Sequence, residues 1–200
     1  MQKNNITILS TGLLDKEILE EAFDLDVILE IVPFIATRPI AGEELQKIVE
    51  ALVHRFAFII VTSQHAVEAL AANLNGATPD WRFFCTDGAT SQLVRKYFGS
   101  SSIAATGGNA RELDREIYLY GVQDEIVFFC GDQRRDELPD QLRERGVWIK
   151  EVVIYETLLT PQQVTRNYEA ILFFSPSAVK SFFSVNQLPP ETILFAIGST

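Results

Sequence analysis

The sequence predicts an α/β protein of two similar doubly wound parallel-sheet domains joined by a two-stranded β connection. Three observations support this fold class. Short apolar runs of strand length alternate with helix-like segments along the chain, a pattern typical of α/β proteins. Several phrases of the first half recur in the second half in the same order. Two extended segments occupy corresponding places in the two halves.

Six apolar runs are predicted to be strands. They are continuously apolar rather than alternating in polarity, which suits strands that a parallel sheet buries on both faces. The runs are ITIL (6–9), FAFIIV (56–61), RFFCT (82–86), EIVFFC (125–130), YEAILFFS (168–175) and TILFAIG (192–198).

Helices are predicted between these strands because apolar residues recur at helical spacing and then stop at a glycine. One apolar face ends at Gly99, and another, which contains Leu138 and Leu142, ends at Gly146. Glycine is favoured just after a helix because that position adopts a positive φ. The charged segment RELDREIY (111–118) is predicted to be a solvated surface helix.

The internal repetition predicts the domain organisation. The turns around Ser63 and Gly88 recur around Ser175 and Gly198. The extended segments VILEIVPFIAT (27–37) and VWIKEVVIYET (147–157) also match, and we expect them to pair as a ribbon. Domain 1 is then discontinuous, made of residues 1–36 and 156–200, and domain 2 is inserted as residues 37–155.

Composition excludes several classes of protein. The 200 residues are 47% hydrophobic, enough for a packed core. A net charge of -10 argues against nucleic-acid binding, which needs a basic face. No apolar run approaches the ~20 residues that span a bilayer, and no secretory signal is evident, so a cytoplasmic protein is expected. Cys85 and Cys130 lack the spacing of a metal site or disulfide framework.

The repeated turns predict an anion-binding site. In each copy a buried strand ends at a hydroxyl residue and a helix begins at once. Such a helix start offers free backbone N–H groups at the carboxyl edge of a sheet, where ligands collect in α/β proteins. The expected ligand is a small molecule with several anionic groups, although each hydroxyl could equally serve only as a helix cap. The candidate hydroxyl residues are Thr62, Ser63, Thr90, Ser175, Ser177 and Thr200.

Tyr155 is a candidate for proton transfer. It lies near the end of the second extended segment, where the first copy has Ile35. A phenol there could donate a proton, or its ring could pack between the domains, and the residues leave both interpretations open. The two histidines, His54 and His65, show no Ser/His/Asp or His/His ligand arrangement.

Five phrases resemble the uroporphyrinogen-III synthase family, the HemD-like cosynthases of haem and porphyrin biosynthesis, over essentially the whole chain. They are VTSQHAVEAL, DGATSQLVRKYFG, RDELPDQLRERGVWIKEVVIYET, ILFFSPSAVKSFF and FAIGST. The resemblance implies a monomeric lyase that closes the linear tetrapyrrole hydroxymethylbilane into uroporphyrinogen III, with loss of water and inversion of ring D through a spiro intermediate. It implies an active site in the interdomain cleft, no metal or organic cofactor, and hydroxymethylbilane synthase as the upstream enzyme.

The resemblance also assigns roles to particular residues. Tyr155 corresponds to the family's cleft tyrosine, the general acid that helps the terminal hydroxyl to leave. The carboxylate-binding turns of the family correspond to the hydroxyl residues named above and their backbone amides, which adds Gly88, Ala89 and Gly198 to the expected substrate-binding residues.

The chain departs from the family pattern at both ends. Ser10-Thr11-Gly12 stands where many members carry an arginine. Members continue beyond the position of Thr200 with a helix, a strand and a further helix, so domain 1 is expected to lack its C-terminal elements. A rival hypothesis from another class is a non-catalytic two-domain binding protein for a small polyanionic ligand, which would use the same turns without proton transfer.

Overall fold

The computed structural model describes residues 6–196, which form ten strands, seven α-helices and one 3-10 helix. The strands are β1 (Ile6–Ser10), β2 (Val27–Ile31), β3 (Ile35–Pro39), β4 (Ala57–Val61), β5 (Trp81–Thr86), β6 (Ile103–Gly107), β7 (Ile126–Gly131), β8 (Ile149–Leu159), β9 (Ala170–Phe173) and β10 (Ile193–Ala196). The α-helices are α1 (Lys16–Asp24), α2 (Glu43–Val53), α3 (Gln64–Asn73), α4 (Ala89–Phe98), α5 (Ala110–Tyr120), α6 (Glu137–Glu144) and α7 (Pro176–Phe183), and the 3-10 helix is Ser100–Ser102.

The chain divides into two compact units. Unit 1 contains the residues up to Ala36 and those from Thr157 onward, and unit 2 is Thr37–Glu156. The chain passes between the units twice, through β3 and β8, which are neighbouring strands. The Ile40 N–H donates to the Ile154 carbonyl and the Thr160 N–H donates to the Phe34 carbonyl. The earlier end of β3, on the Phe34 side, therefore lies beside the later end of β8, so the two strands are antiparallel.

The sheet of unit 2 has the strand order β8-β7-β4-β5-β6, and these neighbours are parallel. The two faces of the sheet carry separate apolar clusters: Ile59 and Phe83 belong to one, and Ile60 and Phe84 belong to the other. Successive residues of a strand point to opposite faces. A strand that is covered on both faces therefore reads as a continuous apolar run, as the sequence predicted.

The direction of winding reverses at β4 in this sheet. The chain proceeds from β4 through β5 to β6 on one side, and then returns to place β7 and β8 on the other side of β4. The carboxyl ends of β4 and β7 therefore form a topological switch point, the place where doubly wound sheets usually bind ligands.

Unit 1 has a smaller parallel sheet with the order β10-β9-β1-β2. Its core is one cluster around Leu9, Phe34, Ile171 and Phe182. Helix α1 and strand β10 contribute no buried side chain to that core. Its winding reverses between β1 and β9, so unit 1 has a switch point of its own.

The structure confirms the predicted α/β class with parallel sheets, and it confirms the two helix ends at glycine. Gly99 has a φ of 85° and Gly146 a φ of 79°, in the left-handed region that glycine adopts without strain. Strand β6 was not predicted, because its sequence IAATG carries small residues and only one large apolar side chain.

One element prediction was wrong in detail. Residues 27–37 do not form one extended ribbon segment, because Val27–Ile31 pairs with β1 as a strand of unit 1 and the chain breaks before β3. Pro33 lies in that break, and its lack of an N–H prevents it from continuing a ladder. Strand β3 continues past the end of the predicted segment to Pro39.

Candidate functional site

Two of the predicted turns lie side by side on unit 2. Strand β4 leads into α3 through Thr62 and Ser63, and the adjacent parallel strand β5 leads into α4. The Thr86 hydroxyl donates to the Thr62 carbonyl oxygen at 3.4 Å, which connects the two turns. The Ser63 side chain caps α3 by accepting the His65 N–H at 3.2 Å. The serine therefore has the capping role that its residue type suggested.

The turn before α4 presents backbone rather than side-chain donors. Gly88 precedes the helix with a φ of 72°, and Ala89 is the first helical residue. Thr90 is only 6% exposed, so its hydroxyl is withdrawn from the surface. Ser91 is also buried, and its hydroxyl donates to the Gly88 carbonyl at 3.0 Å. The N–H groups of the first turn are the polar groups that this helix start can offer to an anion.

The corresponding turn of unit 1 follows β9. Ser175 caps α7 by accepting the Ala178 N–H at 3.1 Å, and Pro176 occupies the first helical position. Proline is well suited to that position because its missing N–H would have no partner inside the helix. Ser177 follows it and is partly buried. The predicted residues Gly198 and Thr200 lie outside the described residues.

The structure brings Tyr155 to Ser63 across 92 positions of sequence. The Tyr155 hydroxyl donates to the Ser63 hydroxyl oxygen at 3.1 Å. Burial raises the pKa of the Tyr155 phenol, the hydrogen bond to Ser63 opposes this, and the nearby Cys130 and Asp132 raise the pKa further. The phenol is therefore protonated at neutral pH and is available as a proton donor.

Within residues 6–196, the Ser63 hydroxyl accepts two hydrogen bonds and donates none. Its oxygen accepts both the His65 N–H and the Tyr155 O–H, and a hydroxyl oxygen has two acceptor lone pairs. The proton of the Ser63 hydroxyl is therefore directed away from both partners. A carboxylate placed at this turn would be a suitable acceptor for it.

Helices α3, α4 and α7 share an electrostatic property that the other α-helices of the described chain lack. Their first turns contain no Asp or Glu, whereas those of α1, α2, α5 and α6 do. In α5 the Glu112 carboxylate accepts the Gly108 N–H at 2.9 Å and so occupies the positive end of its own helix. The three acid-free helix starts are those that the sequence predicted to face an anion.

Two residues at the switch points were not among the candidates that the sequence predicted. Thr11, the residue after β1, is buried, and its hydroxyl donates to the Leu172 carbonyl at 2.8 Å. Gly131 ends β7 and lies directly against the Tyr155 ring. The available signal was a polar residue or a glycine immediately after a predicted strand, as at Ser63 and Gly88.

The described part of the chain offers neither a metal site nor a membrane-spanning helix. No three His, Cys, Asp or Glu side chains within residues 6–196 are arranged to hold a metal ion. None of the helices in that range combines the length and apolar character needed to cross a bilayer. Cys85 and Cys130 are buried free thiols, and burial raises the pKa of each to about 11.

Comparison with known proteins agrees with this architecture. A family model described as uroporphyrinogen-III synthase HemD matches residues 17–200. A mutant uroporphyrinogen III synthase from the extremely thermophilic bacterium Thermus thermophilus is 18% identical with a TM-score of 0.66, and the match covers 96% of this chain and 85% of that one. The uroporphyrinogen-III synthetase of Helicobacter pylori is 14% identical with a TM-score of 0.68, and the match covers 96% and 84% of the two chains. The fold is shared with both structures.

Proposed function

Because the chain belongs to the uroporphyrinogen-III synthase family, we propose that it cyclises hydroxymethylbilane to uroporphyrinogen III, with inversion of ring D and loss of water. The observation that carries this proposal is the hydrogen bond of 3.1 Å between Tyr155 and Ser63. The bond supports the proposal because the phenol donates to the residue that caps α3, whose first turn contains no Asp or Glu. The proposed site would therefore combine a proton donor with donors for carboxylates.

The phenol of Tyr155 would act as the general acid. Its proton passes to the terminal hydroxyl of the substrate, the carbon–oxygen bond breaks, and the electron pair leaves on water. The carbon that lost its hydroxyl would bond to the substituted α-carbon of ring D to form the spiro intermediate. The bond from that α-carbon to its bridging methylene would then break, the methylene would bond to the other α-carbon of ring D, and the phenolate would accept the proton that this carbon releases. The raised pKa of the phenol supports this role, because the donor remains protonated at neutral pH.

The substrate carries acetate and propionate carboxylates, which require several separate donors. We infer that the starts of α3, α4 and α7 bind these groups through their free N–H groups and the positive ends of their dipoles. The net charge of -10 cannot attract a polyanion over long distances. Recognition therefore depends on local amides and hydroxyls, and positioning of the flexible chain supplies much of the catalysis.

The proposal is tested by incubating the protein with freshly made hydroxymethylbilane and separating the type I and type III isomers. We expect the type III isomer. Tyr155→Phe should lower kcat by roughly 10²- to 10⁴-fold, the usual contribution of a general acid. Tyr97→Phe is the matched control, because Tyr97 lies near the end of α4 and should leave kcat unchanged.

Two results would contradict the proposal at different levels. Formation of the type I isomer alone, which arises spontaneously, would refute the synthase activity. Saturable binding of hydroxymethylbilane in that case would favour the non-catalytic binding protein. Full activity of Tyr155→Phe would remove the proton-donor role while leaving the synthase activity in place.

A further inference from the structure

Gly131 lies where a side chain would collide with Tyr155. It is the last residue of β7, beside the β4–β7 switch point. A Cβ atom built on Gly131 would press on Cζ of the Tyr155 ring, 2.6 Å from Cε2 and 2.7 Å from the hydroxyl oxygen. Carbon atoms in favourable contact are about 3.5–4.0 Å apart. The Tyr155 ring therefore occupies the space that a side chain at 131 would fill.

The pairing of β7 with β8 shifts at the same point. Cys130 pairs with Val153, but Gly131 pairs with Tyr155, so Ile154 is an extra residue on β8. In a regular strand Ile154 and Tyr155 would point to opposite faces of the sheet. Both instead pack against the same apolar cluster, with Ile154 fully buried and Tyr155 partly buried. A bulge redirects a side chain in this way, and here the redirected side chain is the proposed acid.

The Tyr155 ring has a second neighbour, and its backbone is held by a hydrogen bond. The His65 ring lies edge-on to it, with centroids 5.7 Å apart and planes at 64°. The Asp132 N–H donates to the Tyr155 carbonyl oxygen at 3.1 Å, which holds the backbone of the bulge. The phenol is thus confined between Gly131 and His65, and its hydroxyl reaches Ser63.

We propose that Gly131 is a positioning residue for Tyr155: the absence of a side chain at 131, together with the bulge at Ile154, places the phenol on Ser63. The catalytic consequence rests on the proposed function, whereas the packing relation does not. Gly131 is not among the glycines with a positive φ, so its backbone conformation is open to alanine. An effect of Gly131→Ala should therefore arise from the new Cβ against the ring.

The first test follows the phenol directly. In protein labelled with tyrosine that carries ¹³C at Cζ, the Tyr155 resonance is the one that Tyr155→Phe removes. Gly131→Ala should shift this resonance. It should also lower the pKa of the Tyr155 phenol towards its ordinary value, because burial, the largest cause of the raised pKa, is relieved and outweighs the loss of the hydrogen bond to Ser63. The other tyrosines should not move. Gly42→Ala is the matched control, since Gly42 has an extended φ of 167° and a Cβ there would meet nothing within 4 Å.

The second test measures the energetic coupling of the two residues. Gly131→Ala is compared in the wild-type background and in a Tyr155→Ala background, where the ring is gone. Gly131→Ala should raise the unfolding equilibrium constant in both backgrounds, and the factor of increase should be about tenfold smaller in the Tyr155→Ala background. If the Gly131→Ala variant does not fold, folding of the Gly131→Ala, Tyr155→Ala double variant would show that removing the ring removes the destabilisation.

The third readout is kinetic and separates the two proposals. Gly131→Ala should lower kcat by about a hundredfold, as a displacement of ~1 Å can do, with a smaller change in KM. An unmoved Tyr155 resonance together with equal costs in both backgrounds would overturn the positioning role. Wild-type protein that forms only the type I isomer would overturn the proposed function, and the resonance and the coupling would still decide the role of Gly131.

Discussion

Ser63 and Tyr155 are 92 positions apart in the chain, yet their hydroxyl oxygens are 3.1 Å apart in the structure. Each could be identified from sequence by residue type and by its place at the end of an extended segment. Their contact could not, because it depends on a bulge in the β7–β8 ladder and on a glycine opposite it. The chemistry of each side chain depends on its residue type, whereas the residue that it contacts depends on how the strands of the sheet pair.

The two cysteines lead to a prediction at the same scale. Burial raises the pKa of the Cys85 and Cys130 thiols to about 11, so roughly one thiol in a thousand is ionised at pH 8, and the thiolate is the reactive form. We expect neither thiol to react with a disulfide reagent such as dithionitrobenzoate in the native protein at that pH. Both should react in urea. Rapid labelling of either thiol in the folded protein would contradict the buried placement.

At the scale of elements, the α-helices differ in whether their first turn carries an acidic side chain. Helix α5 is neutralised by its own Glu112, while α3, α4 and α7 leave their positive ends open. This property is readable from sequence because it depends on residues within four positions of the helix start. The adjacency of the α3 and α4 starts is not readable in that way, because it requires β4 and β5 to pair in parallel.

Gln64→Glu tests whether the start of α3 binds a carboxylate of the substrate, because glutamine and glutamate side chains have almost the same shape. Gln64 is exposed at the first position of α3, and a carboxylate there should stabilise the fold by about 0.3–1 kcal/mol through the helix dipole. The same charge should compete with the substrate and raise KM for hydroxymethylbilane by about fivefold, or about 1 kcal/mol.

The matched control for this variant is Gln123→Glu. Gln123 is exposed in the loop that leads into β7, at the amino edge of the sheet. It changes the net charge equally and should leave KM unchanged. An equal rise of KM in both variants would indicate that overall charge, and not the start of α3, repels the substrate.

At the scale of the whole molecule, the two units differ in how much apolar surface they bury. Within residues 6–196, unit 2 has a cluster on each face of its sheet, while unit 1 has one small cluster. Neither α1 nor β10 adds a buried side chain to unit 1. Since burial of apolar surface is the main stabilising contribution to folding, unit 1 should be the less stable unit.

We therefore expect equilibrium unfolding in urea to be biphasic. Both tryptophans, Trp81 and Trp148, belong to unit 2, and Trp81 is 1% exposed with its indole N–H donating to the Leu52 carbonyl. Tryptophan fluorescence reports unit 2 alone, whereas far-ultraviolet circular dichroism reports both units. The circular dichroism signal should begin to fall at lower urea than the fluorescence signal changes.

The control is Trp148→Phe, which removes the exposed tryptophan and should leave the fluorescence midpoint unchanged. Coincident transitions by the two probes would show that the units unfold as one cooperative block.

The sequence by itself determined the fold class, the predicted strands, the glycine helix ends and the residue types of the turns that are predicted to bind an anion. These features depend on side-chain patterning and on residues a few positions apart. Only the tertiary structure decided the strand orders, the burial of Thr90 and the placement of Tyr155 on Ser63 through the space beside Gly131. Those features depend on which strands pair and in what register, and a single extra residue in one ladder was enough to redirect the phenol.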